Sequence, residues 1–260
     1  RSRKLEDISR QARLCAEGGH KEIVLTGINL GCYGQEMGLT IGDAVKAAEV
    51  DGVERIRLSS LEPEMITDVV IEKFKSSDKL CPHFHLALQS GCDETLRRMN
   101  RRYDTALYRE VVENLRSAFP GCAITTDIMA GFAGETDEEF EESLKFAEEM
   151  RFAKIHVFPY SIRKGTIAAE QSDQVVPQIK SERASRMMRL GEMLERQFLE
   201  EQLGSVQTVL IEKRKSEQYS HGFSGSYVPV RIYGEALERH SLVRVEITSV
   251  REGYCLGRVI

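Results

Sequence analysis

The stretch AITTDIMAGFAGETDEEF, residues 123–140, decides the fold. Its first seven residues are mostly β-branched or apolar and predict a buried strand. Gly131 and Gly134 predict a loop, and Thr136 with Glu139 three residues later is typical of a capping box that opens a helix. In a parallel α/β protein, such a loop lies at the sheet edge where ligands bind. This stretch alone is compatible with a ligand loop or with an ordinary tight turn.

The strand-then-helix pattern recurs along the chain. Short strands are predicted near residues 22, 55, 83, 123 and 154, with amphipathic helices between them. The third strand spans 83–91, one helix begins at Pro63, and a long helix runs from Pro177 to Gly204. That long helix is predicted to face inward through Ile179, Met187, Leu190, Leu194 and Phe198. Alternating strands and helices predict a parallel sheet, so the five strand-end loops converge on one edge of a barrel or partial barrel.

The pattern changes after Gly204. Residues 205–260 contain short runs that alternate at period two between polar and glycine turns, and they predict a small all-β barrel that follows a first domain of residues 1–204. The small domain carries eight lysine and arginine residues against six acidic residues, together with several tyrosines. Such a surface is able to hold single-stranded nucleic acid through charge and base stacking. An ordinary solvated surface is the alternative.

The composition of the whole chain narrows the class of protein. It has 260 residues, 41% of them hydrophobic, and a net charge of −5, which predicts one large and one small domain and excludes a strongly basic protein. No apolar window is long enough to span a membrane, and RSRKLEDISR is too charged for a signal peptide. We therefore expect a cytoplasmic protein. Because Arg1 already lies in helical sequence, we expect the chain to begin inside a domain.

The six cysteines are scattered, with no CxxC and no CxxxCxxC spacing. They are expected to be small buried hydrophobes and not a disulfide framework. His83 and His85 are two residues apart, so in a strand they share one face and are able to bind a metal ion. A third ligand is not evident from the sequence, and no metal site is assigned.

Three segments together resemble a known family. They are HLALQSGCDETLRRMNRRY (85–103), TTDIMAGFAGETDEEFEESLKFAEE (125–149) and VFPYSIRKGTIAA (157–169). In order and spacing they resemble the radical S-adenosylmethionine methylthiotransferases, and the last domain is similar to the RNA-binding TRAM domain. VLTGINLGCYG (24–34) and RIRLSSLEPEMI (55–66) resemble the branch that acts on N6-threonylcarbamoyladenosine in tRNA.

The resemblance implies a partial (β/α)6-type radical SAM barrel, here missing its first repeat, with S-adenosylmethionine at the strand ends. It also implies two [4Fe-4S] clusters and a tRNA substrate, in which a methylthio group is added to C2 of the modified adenosine next to the anticodon. The sulfur donor is unknown, and neither a membrane nor DNA is expected as a partner. The family's CxxxCxxC motif is absent, so we expect this chain alone to be inactive.

The resemblance also assigns residues by position, although it assigns no catalytic residue. Arg101 is expected to clamp the carboxylate of S-adenosylmethionine, and Ala130 to Phe132 to border its adenine. The full set expected to bind this cofactor is Thr26, Gly27, Ser59, Ser60, Glu62, Gln89, Ser90, Arg101, Ala130, Gly131, Phe132, Tyr160 and Ser161. The residues expected to bind RNA are Arg163, Lys213, Arg214, Lys215 and Arg231.

Other functions stay open on the sequence. They are an isopentenyladenosine tRNA methylthiotransferase, a non-catalytic RNA-binding module, and an unrelated barrel enzyme that binds phosphate at AGFAGET. The strand at 22–27 is expected to have a free edge, since the first repeat is missing. An unpaired strand edge invites pairing with another chain, so we expect dimers or aggregates.

Overall fold

The computed structural model describes residues 1–215, 218–234 and 236–260, and residues 213–215 by their backbone alone. Helices and strands alternate first, as α1 (Leu5–Glu17), β1 (Glu22–Leu25), α2 (Ile41–Ala48), β2 (Arg55–Leu58), α3 (Asp68–Lys75), β3 (His83–His85), α4 (Asp93–Arg98), α5 (Thr105–Ala118), β4 (Ala123–Ala130), α6 (Asp137–Met150), β5 (Lys154–Pro159), α7 (Ile167–Glu170) and α8 (Pro177–Glu200). Strands β6 (Val206–Lys215), β7 (Tyr219–Ser224), β8 (Pro229–Tyr233), β9 (Leu242–Arg251) and β10 (Tyr254–Val259) follow. None of the described helices has the length and apolar character needed to cross a bilayer.

The first five strands lie side by side in chain order. β1 pairs in parallel with β2, and β4 pairs in parallel with both β3 and β5. Isolated bridges from Ile56 to Leu80 and from Leu61 to Leu86 link the two groups of strands. This order is the one expected for successive right-handed βαβ repeats, and the predicted parallel arrangement is confirmed. All five strands therefore end at the same edge.

The sheet has two different faces because side chains alternate along each strand. Ile56, Phe84 and Ile124 join the apolar core, which also holds Phe74 and Tyr108 from the helices. Burial of this apolar surface is the main favourable contribution to folding. The other side, here called the polar face, carries at alternate strand positions Glu22, Arg55, Arg57, His83, His85, Thr125, Asp127 and His156.

The long helix α8 differs from its prediction at both ends. Ile179, predicted to face inward, is exposed, whereas Lys180 and Arg183 are buried. The reason is local: the first turns of α8 pack on the polar loop after β4, so polar side chains occupy the inner positions there. Further along the helix, Met187 and Leu194 are buried as predicted. The helix ends at Glu200 and not at Gly204.

Two other elements begin or end elsewhere than predicted. Pro63–Met65 forms a separate 3-10 turn, and α3 begins only after Thr67, whose side chain accepts a hydrogen bond from the Val70 amide at 3.4 Å. β3 ends at His85, and the chain that follows makes only isolated bridges, at Leu86 and Gln89, where φ is +69°. By contrast, the capping box predicted at Thr136 and Glu139 is present at the start of α6.

The last five strands close into a barrel in the order β10-β8-β7-β6-β9, which confirms the predicted all-β barrel. Arg55 donates hydrogen bonds to the backbone carbonyls of Phe223, at 3.1 Å, and Thr208. Arg57 donates to the carbonyl of Gly225 at 3.0 Å. Arg55 is the first residue of β2, so the barrel docks at the edge of the sheet opposite the strand-end loops.

Candidate functional site

The loops after β1 and β2 are held together at the carboxyl edge of the sheet. The Ser59 amide donates a hydrogen bond to the Leu25 carbonyl at 3.0 Å. With its amide nitrogen turned toward Glu62, Asn29 donates to both carboxylate oxygens, at 2.9 and 2.8 Å. Thr26 and Ser60 are exposed beside this bridge. The two loops therefore present hydroxyl and carboxylate oxygens in one place, which suits a ligand with a cationic amino group.

Asn29 and Gly31 also belong to this edge, although they were not among the predicted site residues. At Gly31, a Cβ atom would lie 2.8 Å from Cβ of Met65 and 3.0 Å from Oε2 of Glu62, so a larger residue would push the two loops apart. Gly27 lies exposed beside them, at the mouth of a groove along β1. The glycine cluster GINLG marked this loop, but only the fold shows which glycine meets another chain segment.

A free thiol borders the same edge. Burial, followed by the charges of Glu62 and Glu64, raises the pKa of Cys32. Its Sγ atom lies 3.7 Å from the sulfur of Met65. A raised pKa keeps this side chain in its thiol form at neutral pH, whereas a metal ligand has to be a thiolate.

The loop after β3 places its two predicted residues differently. Gln89 is fixed on β4, since its amide donates to the Asp127 carbonyl and its carbonyl accepts from the Met129 amide, both at 2.8 Å. Its side chain is half-buried. Ser90 is 1% exposed, and its hydroxyl accepts a hydrogen bond from the Cys92 amide. Gln89 is therefore positioned to reach a ligand, whereas Ser90 stabilises the turn.

Arg101 follows α4 and is exposed. None of the described residues forms an ion pair with its guanidinium. The nearby Arg98 instead forms an ion pair with Glu139, the residue that completes the cap of α6. An arginine without a protein partner is available to hold a carboxylate through two parallel hydrogen bonds. Arg102 is likewise exposed and outside the ion pairs of the described residues, so the role of Arg101 stays a prediction.

The loop after β4, which belongs to the stretch 123–140, packs against α8. Gly131 has φ +75°, and a Cβ there would lie 2.5 Å from Cγ of Lys180 on α8. Its amide donates to Glu135 at 2.8 Å, and Glu135 is paired with Arg183 at 2.8 Å. Burial raises the pKa of Glu135. At Gly131, the missing side chain makes room for Lys180 of α8, and its contact with S-adenosylmethionine stays a prediction.

Phe132 and Tyr160 form the wall next to this loop. Their rings meet edge to face, with centroids 5.0 Å apart, while Ala130 and Phe132 are buried. Lys180 lies 4.7 Å above the Tyr160 ring, and its Nζ atom donates to the Tyr160 carbonyl at 3.3 Å. The buried Tyr160 hydroxyl has no hydrogen-bond partner among the described residues. Ser161, by contrast, is exposed.

The residues predicted to bind RNA lie in two regions, one after β5 and one on the barrel, where the strand register places Lys213 and Arg231 opposite the same residue, His221. Arg163 is exposed after β5, at the carboxyl edge of the sheet. Arg231 lies on the barrel, where its guanidinium is 3.7 Å from the ring centre of Tyr254 and 5.1 Å from that of Tyr219. Lys213, Arg214 and Lys215 belong to β6, but their side chains lie outside the described residues. One stacked group of arginine and tyrosine is therefore visible on the barrel.

The cysteines do not fit an iron–sulfur cluster. In the described part of the chain, the one group of three potential metal ligands contains no cysteine. Cys81, Cys92, Cys122 and Cys255 are buried, and burial raises the pKa of Cys81 and Cys122 to about 11. Such a cluster needs several thiolates around one centre, which these separate side chains do not supply.

The comparisons with known proteins agree with this arrangement. Residues 1–147 match the family described as "Radical SAM superfamily". The threonylcarbamoyladenosine tRNA methylthiotransferase MtaB of Bacillus subtilis (strain 168) is 37% identical over 268 residues, which cover 100% of this chain and 59% of the relative. The tRNA-2-methylthio-N(6)-dimethylallyladenosine synthase of Thermoanaerobacter sp. (strain X514) is 36% identical over 266 residues, with coverage of 100% and 56%.

The matches cover only part of the relatives' length, and the similarity to solved structures is at low sequence identity. This chain spans somewhat more than half the length of these curated relatives. Among solved structures, coproporphyrinogen III oxidase (HemN) from Escherichia coli, described as a radical SAM enzyme, matches with a TM-score of 0.59 at 15% identity. The match covers 85% of this chain and 56% of that chain. At this identity, the similarity establishes the fold alone.

Proposed function

The chain belongs to the Radical SAM superfamily, and from this premise we propose that it is part of a tRNA methylthiotransferase acting on N6-threonylcarbamoyladenosine next to the anticodon. The observation that carries the proposal is the 37% identity to the Bacillus subtilis MtaB, which extends over the whole chain. The dimethylallyladenosine enzymes are nearly as similar, at 36%, so isopentenyladenosine is the second candidate substrate.

The strand-end loops are chemically suited to S-adenosylmethionine. Arg101 would hold the carboxylate, and the oxygens around Glu62 would accept hydrogen bonds from the amino group. Gln89 would face the ribose, and Phe132 would border the adenine as part of a packed wall. Thr26, Gly27, Ser59, Ser60, Tyr160 and Ser161 complete the proposed site. Beside a reduced cluster, one molecule of this cofactor would supply the radical, and a second molecule would supply the methyl group.

We further propose that the ligands of both [4Fe-4S] clusters belong to parts of the protein outside this sequence. The described cysteines do not fit a cluster, and the relatives are longer than this chain. A groove of about 1160 Å³ along β1, bordered by α1, supports a missing first repeat, since an additional strand would pair there. No reaction step is assigned to residues of this chain through a cluster.

The barrel is proposed to be a TRAM-like domain that binds the tRNA. Its support is the group of Arg231, Tyr219 and Tyr254, because a guanidinium held between aromatic rings offers both charge and a stacking surface to a single-stranded base. Arg163 would contact RNA at the opposite edge of the sheet. A tRNA that meets both regions would have to extend along the polar face from one edge to the other.

The function is tested on the protein that carries this chain, reconstituted anaerobically with iron and sulfide. Nucleoside mass spectrometry of tRNA should show a methylthio group gained on threonylcarbamoyladenosine. Arg101→Ala should abolish the gain, whereas Arg97→Ala, at an exposed arginine of α4 that pairs with Glu94, should retain it. A gain on isopentenyladenosine alone would replace the proposed substrate with the second candidate. Cluster-loaded protein that modifies neither nucleoside would overturn the proposal and leave an RNA-binding module.

A further inference from the structure

Three polar side chains meet on the polar face, away from the strand-end loops. His85 ends β3, Asp127 lies three residues before the end of β4, and His156 lies three residues before the end of β5. Asp127 and His156 are direct partners in the strand register, and the same register places His85 opposite Thr125. One ligand atom from each of the three side chains lies within 4.8 Å of the others. Two imidazoles and one carboxylate thus project from adjacent strands of a rigid sheet.

The orientation of His85 is fixed by a hydrogen bond. Its Nδ1 atom lies 3.0 Å from Oγ1 of Thr125, and its Nε2 atom lies 3.4 Å from Oδ2 of Asp127. The Thr125 hydroxyl is also 3.3 Å from Nε2 of His83, so it is held from a second side. Metal-binding histidines usually have one ring nitrogen on a polar partner, as Nδ1 has here. The other nitrogen, Nε2, faces the Asp127 carboxylate, and an ion between the two would replace that contact.

The charges in and around the group suit a cation. A carboxylate and a neutral imidazole are the forms that bind metal ions. Three cationic side chains on neighbouring strands are already paired: Lys154 with Glu195 at 3.1 Å, and both Arg55 and Arg57 with Glu22, at 3.7 and 3.1 Å.

We propose that His85, Asp127 and His156 form a binding site for a divalent transition-metal ion. Two histidines and one carboxylate on one side of an ion leave coordination positions open, a donor set that suits Fe²⁺, Zn²⁺ and Co²⁺. His156 is exposed, so the open positions face solvent. The site is formed by residues within the strands, whereas the loops proposed for S-adenosylmethionine follow the strand ends, and it contains no cysteine.

The test is anaerobic titration of the 260-residue chain with Co²⁺, followed by visible absorption. We expect one ion to bind with ligand-field bands and without a thiolate-to-cobalt charge-transfer band, and Zn²⁺ to displace it. Loss of a hydrogen-bond partner of a metal ligand alone weakens binding about 10–100-fold, so His156→Ala and Asp127→Asn should weaken it by at least about 100-fold. Thr125→Val, at a positioning residue, should weaken it by about 10-fold or more.

His20→Ala is the matched control, because His20 is exposed and lies outside the group. It should bind Co²⁺ as the unchanged chain does. Since His156 is also exposed, His156→Ala should keep the circular dichroism spectrum of the parent chain. Absence of saturable binding, retained affinity in His156→Ala and Asp127→Asn, or a thiolate charge-transfer band would each overturn the proposal.

Discussion

The protein covers two places of the parallel sheet differently: the end of β4 with the loop that follows it, here called the β4 end, and the edge strand β1 with its loop, here called the β1 end. At the β4 end, α8 fills the space beside Gly131, and Glu135 is 5% exposed in its pair with Arg183. At the β1 end, Val24 is 48% exposed and Ile28 projects fully into solvent. Among the described strands, β1 has a neighbour on one side only. The β4 end is thus a packed unit, and the β1 end is accessible.

The difference between the β4 end and the β1 end shows that a glycine loop after a strand is not always open to a ligand. Both ends carry glycine after a strand, and the sequence therefore predicts ligand contact at both. At Gly131 the neighbour of the Cα atom is a lysine stem from α8, whereas Gly27 borders an open groove. A glycine whose Cα atom faces another part of the protein allows close packing, whereas a glycine whose Cα atom faces open space is accessible to a ligand. We therefore place ligand access mainly at the loops after β1, β2 and β5.

The largest effect is expected from removal of the buried charge at the β4 end. Arg183→Met leaves the Glu135 carboxylate buried without its partner, so the free energy of unfolding in urea should fall by about 3–5 kcal/mol. Arg186→Met is the matched control, because Arg186 lies on the same helix and pairs with the exposed Glu141. Its loss should be a small fraction of the first. Equal losses would show that the β4 end is not held by its buried pair.

The next effect separates backbone strain from packing at glycine. Gly131 and Gly121 both have φ +75°, but nothing lies within 4 Å of a Cβ at Gly121. Gly131→Ala should lower the free energy of unfolding by about 2–4 kcal/mol, through strain and displacement of Lys180. Gly121→Ala carries the strain alone and should cost about 1 kcal/mol. If the two variants unfold alike, α8 does not constrain the loop.

A smaller effect is expected from the bridge between the loops after β1 and β2. Asn29→Ala removes the hydrogen bonds to Glu62 and should lower the free energy of unfolding by about 1 kcal/mol. Thr26→Ala, in the same exposed loop, should change it by less than about 0.5 kcal/mol. Thermal unfolding of the two variants side by side gives the comparison. An unchanged Asn29→Ala would mean that the bridge contributes nothing to holding the loops.

The smallest effect on stability is expected at the free edge of β1. Val24→Lys should leave the midpoint of unfolding nearly unchanged, since Val24 is half-exposed. A lysine on an edge strand opposes pairing with another chain, so self-association measured by light scattering should decrease. A parent chain that is already a monodisperse monomer would contradict the expected pairing at this edge.

Local patterns predicted much of the fold. The capping box at Thr136, the five strands and the closed barrel follow from short-range spacing that depends little on distant contacts. The predictions were wrong where the boundaries and buried positions of helices depend on tertiary packing. Ile179 lies on the predicted apolar stripe of α8, but the first turns of this helix pack on the polar loop after β4. This contact joins segments that are distant in the chain, so the local sequence pattern did not predict it.

The candidate site was predictable only in part for the same reason. Arg101 and Glu62 belong to recognisable loops, whereas the bridge from Asn29 depends on how two loops approach. The sequence showed no third ligand for His83 and His85, because Asp127 and His156 are distant from them along the chain. Strand register alone brings Asp127 and His156 to His85. The docking of the barrel at the opposite edge likewise depends on Arg55 and Arg57, which carried no signal of their own in the sequence.

The central claim is that the accessible strand-end loops of this chain bind S-adenosylmethionine. Backbone hydrogen–deuterium exchange of the 260-residue chain, with and without millimolar S-adenosylmethionine, tests it most directly. The account predicts slower exchange at residues 26–29, 59–62 and 160–163, of which 26–29 and 161–163 are exposed, and no change across 242–251 in the barrel. Exchange that is unchanged at the loops, or slowed only within 205–260, would contradict it.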